Sequence, residues 1–123
     1  MTDRSIDPNQ KLPLTPAVFH ILLALANGEL HGYAIMQEVT QSTGGTIRMG
    51  PGTLYGTIKK LVAEEWIEEA GERAVSPSDD ERRRYYRLTE FGAKVVNAEV
   101  RRLSQVLRSA QGKRLIVPLE GGV

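Results

Sequence analysis

Apolar and polar positions along the chain change their period several times, and each change marks an element. Residues 17–26 are apolar almost without a break, with Val18, Phe19, Ile21, Leu22, Leu23 and Leu25 in close succession. Thr15-Pro16 in front reads as a helix start, because a threonine hydroxyl caps free N–H groups and proline fits the first helical position. Asn27-Gly28 reads as the stop. A helix that is apolar nearly all round has to be covered on more than one side. In a chain of 123 residues that suggests a partner subunit. A second helix is expected from about His31 to Thr43, with Ile35, Met36 and Val39 inward and Gly44-Gly45 ending it. A third opens at Gly50-Pro51-Gly52 and runs to about Glu65, with Leu54, Ile58, Leu61 and Val62 as its apolar stripe.

Beyond Glu65 the pattern is no longer helical. Trp66–Ala70 and Arg82–Leu88 are β-prone, and the stretch 74–81 between them has turn composition, so together they read as a hairpin with a long tip. Thr89-Glu90 then opens a last helix to about Ala110. This helix carries two stripes. Phe91, Val95 and Ala98 are expected to pack on the preceding domain. Val96, Val100, Leu103, Leu107 and Ala110 follow the 4-3-4-3 spacing of a helix-pairing seam. A symmetric homodimer is the simplest partner for that seam; one wide stripe serving the chain's own core is the other reading.

The order is helix, helix, helix, strand, strand, helix. It predicts a mostly α, α+β fold: a winged helix-turn-helix with a C-terminal dimerisation helix. Residues 1–13 read as a flexible arm, 14–88 as the winged domain, 89–110 as the dimerisation helix and 111–123 as a loose tail.

Composition narrows the function. Apolar residues make up 41% and charged residues 25%, the values of an ordinary folded domain. There is no cysteine, which removes disulfides, thiolate metal sites and thiol nucleophiles and fits a cytoplasmic protein. No apolar run reaches the length of a membrane span, and no signal peptide is visible. His20 is expected to be a hydrogen-bonded core residue and His31 a cap or turn residue. With no convincing Ser-His-Asp set and no metal-ligand spacing, no enzyme, metal or cofactor is predicted. Residues 1–90 hold 10 Lys/Arg against 13 Asp/Glu, so net charge alone does not argue for nucleic acid. Any such role has to rest on local patches.

Two patches qualify. Opposite the apolar stripe, the third helix carries Gly52, Gly56, Lys59, Lys60 and Ala63, flanked by Thr53 and Tyr55. Two exposed glycines cost helix stability, roughly 1 kcal/mol each against alanine, but let another surface approach closely. A DNA major groove is one such surface, with the lysines on phosphates and Thr53 and Tyr55 as hydrogen-bond donors. The plain alternative is a Gly-Pro-Gly turn and a packed Tyr55. The second patch is Arg82, Arg83 and Arg84 at the hairpin, suited to a minor groove or flanking phosphates. Strand alternation puts Arg84 on the side of Leu88, so Arg83 is expected to be the more exposed of the two. Here the alternative is pairing with Asp79, Asp80 and Glu81. The acidic group Glu64, Glu65, Glu68, Glu69 and Glu72 must face away from any phosphate.

The motifs add a resemblance. His31-Gly32-Tyr33, Gly50-Pro51-Gly52-Thr53-Leu54-Tyr55, and Arg83-Arg84-Tyr85-Tyr86-Arg87-Leu88-Thr89 followed by Gly92 stand in the order and spacing of PadR-like regulators. Over residues 14–110 the chain resembles the shorter branch of that family. The resemblance implies a dimeric winged-helix protein, usually a repressor, that binds an inverted-repeat operator in double-stranded DNA and often answers to a small-molecule effector. One departure is Glu65-Trp66, where family members place a glycine and then an aliphatic residue. A winged-helix module that binds protein instead of DNA is the alternative function.

Overall fold

The computed structural model describes residues 7–78 and 81–115. The apolar run becomes α1 (Pro16–Ala24), continued by a 3-10 turn over Leu25–Asn27. Thr15 accepts the Val18 N–H at its start, and Gly28, at φ +142°, turns the chain away at its end. Ile21, Leu22 and Leu25 are buried, whereas Leu23 is exposed, so the chain covers only part of this helix. There follow β1 (Leu30–His31), α2 (Gly32–Ser42), α3 (Pro51–Ala63), β2 (Ile67–Ala74), β3 (Arg82–Leu88) and α4 (Glu90–Gly112). The strands form one antiparallel sheet in the order β1-β3-β2. This is the α+β winged helix-turn-helix that the element order predicts.

The sheet differs from a plain hairpin in two respects. β1 pairs Leu30 with Tyr86 and His31 with Tyr85, and two residues are too few to show an alternating pattern. β2 runs on to Ala74 because the register shifts between Glu69 and Glu72, where Gly71 adopts φ +98°. Such a bulge lets a strand continue past an irregular point while its twist increases.

The core gathers Ile21, Leu22 and Leu25 with Ile35 and Val39 of α2, Leu54, Ile58 and Leu61 of α3, Trp66, Ile67, Tyr86 and Val95. Each large side chain so buried contributes roughly 1.5–3 kcal/mol relative to exposure. Val96 is also in this core and is 6% exposed. The 4-3-4-3 spacing places it in the seam, but α4 packs on α1 and the chain's own core takes that position. The rest of the stripe, Val100, Leu103 and Leu107, is exposed.

The stretch 7–13 also departs from expectation. Pro8–Lys11 forms a 3-10 turn, started by the Asp7 carboxylate accepting the Asn9 N–H, and it packs against α4. A buried carboxylate fastens this segment: Glu99 of α4 accepts the Leu14 N–H at 2.8 Å and Arg102 Nε at 2.5 Å. The Arg102 hydrogen bond holds the Glu99 carboxyl below its ordinary range against the opposing effect of burial, helped by the Leu14 N–H. Expectations for residues 1–6, Asp79-Asp80 and the tail from Ile116 lie outside the described residues.

α3 ends where a glycine was missing from the family pattern. Glu65 takes φ +62°, the left-handed conformation that glycine normally supplies. The Trp66 N–H reaches Leu61 O and the Glu65 N–H reaches Val62 O, both at 3.0 Å. These two bonds define a Schellman end, and the apolar contact it usually carries is supplied by Leu61 and Trp66 in the core. Thr89 then joins the two ends of the wing. Its hydroxyl donates to Glu65 O at 2.6 Å and accepts the Gly92 N–H at 3.0 Å, while its own N–H donates to Trp66 O at 3.1 Å.

Candidate nucleic-acid interface

α3 stands with its apolar stripe inward, and its other face is free. Leu54, Ile58 and Leu61 are buried; Gly52, Thr53, Tyr55, Gly56, Lys59, Lys60 and Ala63 are exposed. A side-chain carbon built on Gly52 or Gly56 would meet nothing within 4 Å, so a surface can reach the helix backbone there. Gly50 caps the helix without a side-chain bond and Pro51 has no N–H, leaving the first turn unobstructed. The macrodipole makes that end weakly positive. Among the described residues neither Lys59 nor Lys60 has a carboxylate within ion-pair distance.

Tyr55 is half exposed, and its inner side has a structural task. A side-chain carbon on Gly32 would fall 2.4 Å from the Tyr55 hydroxyl oxygen, so the ring lies directly over the start of α2. The glycine of His31-Gly32-Tyr33 is thereby explained. His31 itself caps α2, its Nδ1 accepting the Ala34 N–H at 3.2 Å. Burial, and next the Arg83 charge, push the His31 ring below its ordinary value. His20 departs from expectation: its Nδ1 is buried without a hydrogen-bond partner, and its ring meets Phe19 edge-on at 5.2 Å.

In the wing the exposure of Arg83 and Arg84 is the reverse of that expected from alternation. Arg84 is 53% exposed at its side chain and Arg83 33%. The cause is β1, which the sequence pattern did not reveal. It sets His31 edge-on against Tyr85 at 5.3 Å, on the face that Arg83 shares. The Arg83 guanidinium also lies 5.8 Å from the Tyr33 ring centre, and its Nε is buried. Arg84 stands on the face of buried Tyr86, but at a position where the core has ended.

Most wing arginines are already paired. Arg84 meets Glu69 at 3.1 Å, Arg87 meets Glu68 at 2.8 Å and Glu29 at 3.4 Å, and Arg83 meets Glu81 at 3.6 Å. Arg73 binds Glu29 and lies 3.8 Å over the Tyr85 ring. Arg82 donates instead to the Glu72 carbonyl at 2.8 Å. Glu68 and Glu69 therefore do not turn away from the basic cluster; they neutralise part of it. Exposed pairs of this kind are worth about 0–1 kcal/mol and can exchange partners. Among the described residues, the cations without such partners include Lys59, Lys60 and Arg48, the last in the turn before α3 and not singled out from the sequence.

On α4, Val100, Leu103 and Leu107 are exposed, with Val106 beside them and Leu23 exposed on α1. Val106 lies outside the 4-3-4-3 register, which is why the spacing did not select it. Among the described residues no helix is long and apolar enough to cross a membrane.

Three helices, a helix-turn-helix at α2–α3 and a wing of β2 and β3 define a winged-helix protein of the regulator type. The chain belongs to the transcriptional regulator PadR-like family, whose model matches residues 21–98. It is 33% identical over 93 residues to a transcriptional regulator of Mycobacterium tuberculosis, covering 76% of this chain and 80% of that one. It is 34% identical over 86 residues to an uncharacterized 37.1 kDa protein of a Streptomyces fradiae transposon, covering 70% of this chain and 22% of that protein. Among solved structures it resembles Bacillus subtilis PadR in complex with operator DNA, with a TM-score of 0.58, 25% identity, and coverage of 69% of this chain and 45% of that one. A PadR-like regulator of Bacillus cereus shares the fold at a TM-score of 0.66 and 18% identity, covering 81% of this chain and 92% of that one. The chain thus spans about a fifth of the Streptomyces protein and less than half of the Bacillus subtilis one. The family is one of transcriptional regulators, not of enzymes.

Proposed function

We propose that this chain is a transcriptional repressor that binds an inverted-repeat operator as a homodimer, with α3 in the major groove. The observation that carries this reading is the outer face of α3, open above Gly52 and Gly56 and bearing Lys59 and Lys60, which have no carboxylate partner among the described residues. Thr53 and Tyr55 supply donors to phosphates or base edges. The face has few side chains that read bases, so DNA shape supplies much of the selectivity. The complex of Bacillus subtilis PadR with operator DNA supports the assignment by family. Pairing through Val100, Leu103 and Leu107 relates two α3 helices by a two-fold axis, so half-sites fall one or two helical turns apart. Repression follows if the occupied operator overlaps a promoter. The effector implied by the resemblance is sought through Trp66, whose buried indole beside Phe91 reports changes at the wing and α4 together.

Footprinting across the DNA upstream of the chain's own gene tests the reading. A protected inverted repeat is expected, and the absence of any sequence preference at every salt concentration refutes it. A protein-binding winged helix is the second reading, favoured by the carboxylates that already neutralise Arg84 and Arg87.

A further inference from the structure

The turn between α2 and α3 is built to hold one side chain outward. Thr43 organises it: its hydroxyl donates to Val39 O at 2.8 Å and accepts the Ile47 N–H at 3.1 Å. The Thr46 hydroxyl donates to Thr43 O at 2.7 Å, and the Gly45 N–H reaches Thr40 O at 2.8 Å. Gly44 and Gly45, at φ +60° and +84°, supply the left-handed backbone that this path requires. Ile47 and Met49 pack against the core, so Arg48 between them is turned to solvent. Its guanidinium lies along the turn, 3.5 Å from the point where a side-chain carbon on Gly45 would stand.

Among the described residues Arg48 has no carboxylate partner, in contrast to Arg83, Arg84 and Arg87 of the wing. It stands two positions before Gly50, the cap of α3. A surface that approaches α3 at Gly52 comes within four residues, along the chain, of this cation. We infer that Arg48 is a phosphate contact of the helix-turn-helix, fixing the register of α3 on the duplex without reading sequence. A free guanidinium loses no ion pair on meeting a phosphate, whereas Arg84 and Arg87 must first release Glu69 and Glu68. Arg48 therefore contributes more to the salt-dependent part of binding than either of them. The inference rests on the DNA-binding reading.

Fluorescence anisotropy with a mixed-sequence DNA duplex of two helical turns tests it, comparing the wild type with Arg48→Gln, Arg48→Lys, Lys59→Gln and Lys94→Gln. Lys94 pairs with Glu90 on α4 and serves as a charge-matched control. Arg48→Gln should weaken binding roughly fivefold to tenfold near 0.1 M salt and make the slope of log K against log salt shallower by about 0.9 for each copy bound. Arg48→Lys should keep the slope, and Lys94→Gln should change neither quantity. Circular dichroism checks that the folds are equal. Weakening by Lys59→Gln with no change for Arg48→Gln overturns the role of Arg48 and leaves the α3 reading standing. A wild type that binds no duplex at any salt overturns both.

Discussion

Gly92→Ala puts the joint between the wing and α4 to a test in which two physical effects have opposite signs. Gly92 lies in the first turn of α4, where helix propensity alone predicts that alanine stabilises by up to about 1 kcal/mol. Packing predicts the reverse. The added carbon would stand 1.8 Å from the Trp66 carbonyl oxygen, 2.8 Å from its carbonyl carbon and 3.2 Å from its Cα. All three are backbone atoms, so no side chain can swing aside. The start of α4 has to move off the wing. That movement strains the three hydrogen bonds of Thr89, to Glu65 O, Trp66 O and the Gly92 N–H. Each is worth about 1 kcal/mol, and overpacking adds roughly 1–3 kcal/mol. After the propensity gain the net loss is about 3–5 kcal/mol if all three bonds are lost. For a domain of this size that lowers the midpoint of thermal unfolding by roughly 10–20 °C. Thermal and urea melts followed by circular dichroism measure it, with Gly56→Ala as the comparison, since that site is open and alanine there should stabilise. A Gly92→Ala protein as stable as the wild type would refute the argument.

Three other outcomes are expected. Glu65→Gly should stabilise by about 1 kcal/mol, because glycine bears the left-handed conformation without strain; Glu65→Ala should not, and equal urea midpoints for wild type and Gly would contradict the account of this helix end. The His31 ring sits below its ordinary value of 6.5 and its Nδ1 accepts the Ala34 N–H only when unprotonated. For a base whose folded pKa is lowered, stability is complete above 6.5 and falls as pH drops below it. The loss is limited to about 1 kcal/mol, the worth of a cap. His31→Asn keeps a capping oxygen and should flatten melts compared between pH 7.5 and 5, which an unchanged pH profile would disprove. Leu103→Asp should give monomers in sedimentation; an intact dimer would exclude the α4 seam.

The chain's pattern was legible wherever a run was long enough to show a period. The helices, the capping by Thr15 and Thr89, and the strand at Arg82–Leu88 all followed from it. β1 was not legible, because two residues carry no alternation. That omission had a consequence at the candidate site: without β1 nothing indicated that His31 and Tyr33 shield Arg83, and the order of exposure of Arg83 and Arg84 came out reversed. Val96 illustrates a different limit. Helical spacing groups it with Val100 and Leu103, but the extent of the domain core along α4 decides which of them it buries. Arg48 could have been found, since Ile47-Arg48-Met49 alternates, but three residues in a turn rarely attract such a reading. Wing pairing was only partly visible, because Glu68 and Glu69 become partners of Arg87 and Arg84 through strand register, which local composition does not encode.

Thr89 bears on how far apart the two α3 helices of the proposed dimer can sit. Its one hydroxyl touches Glu65, just past the end of α3, and Gly92, in the first turn of α4. The angle between the two helices is therefore held in part at this one short side chain, together with the close approach of Gly92 to Trp66 and the packing of α4 on α1. In a dimer joined along α4, that angle is repeated on both sides of the axis, and any error in it is doubled in the distance from one α3 to the other. The spacing of operator half-sites that such a protein accepts would then be narrow, and it would be written at Thr89 and Gly92, far from any base.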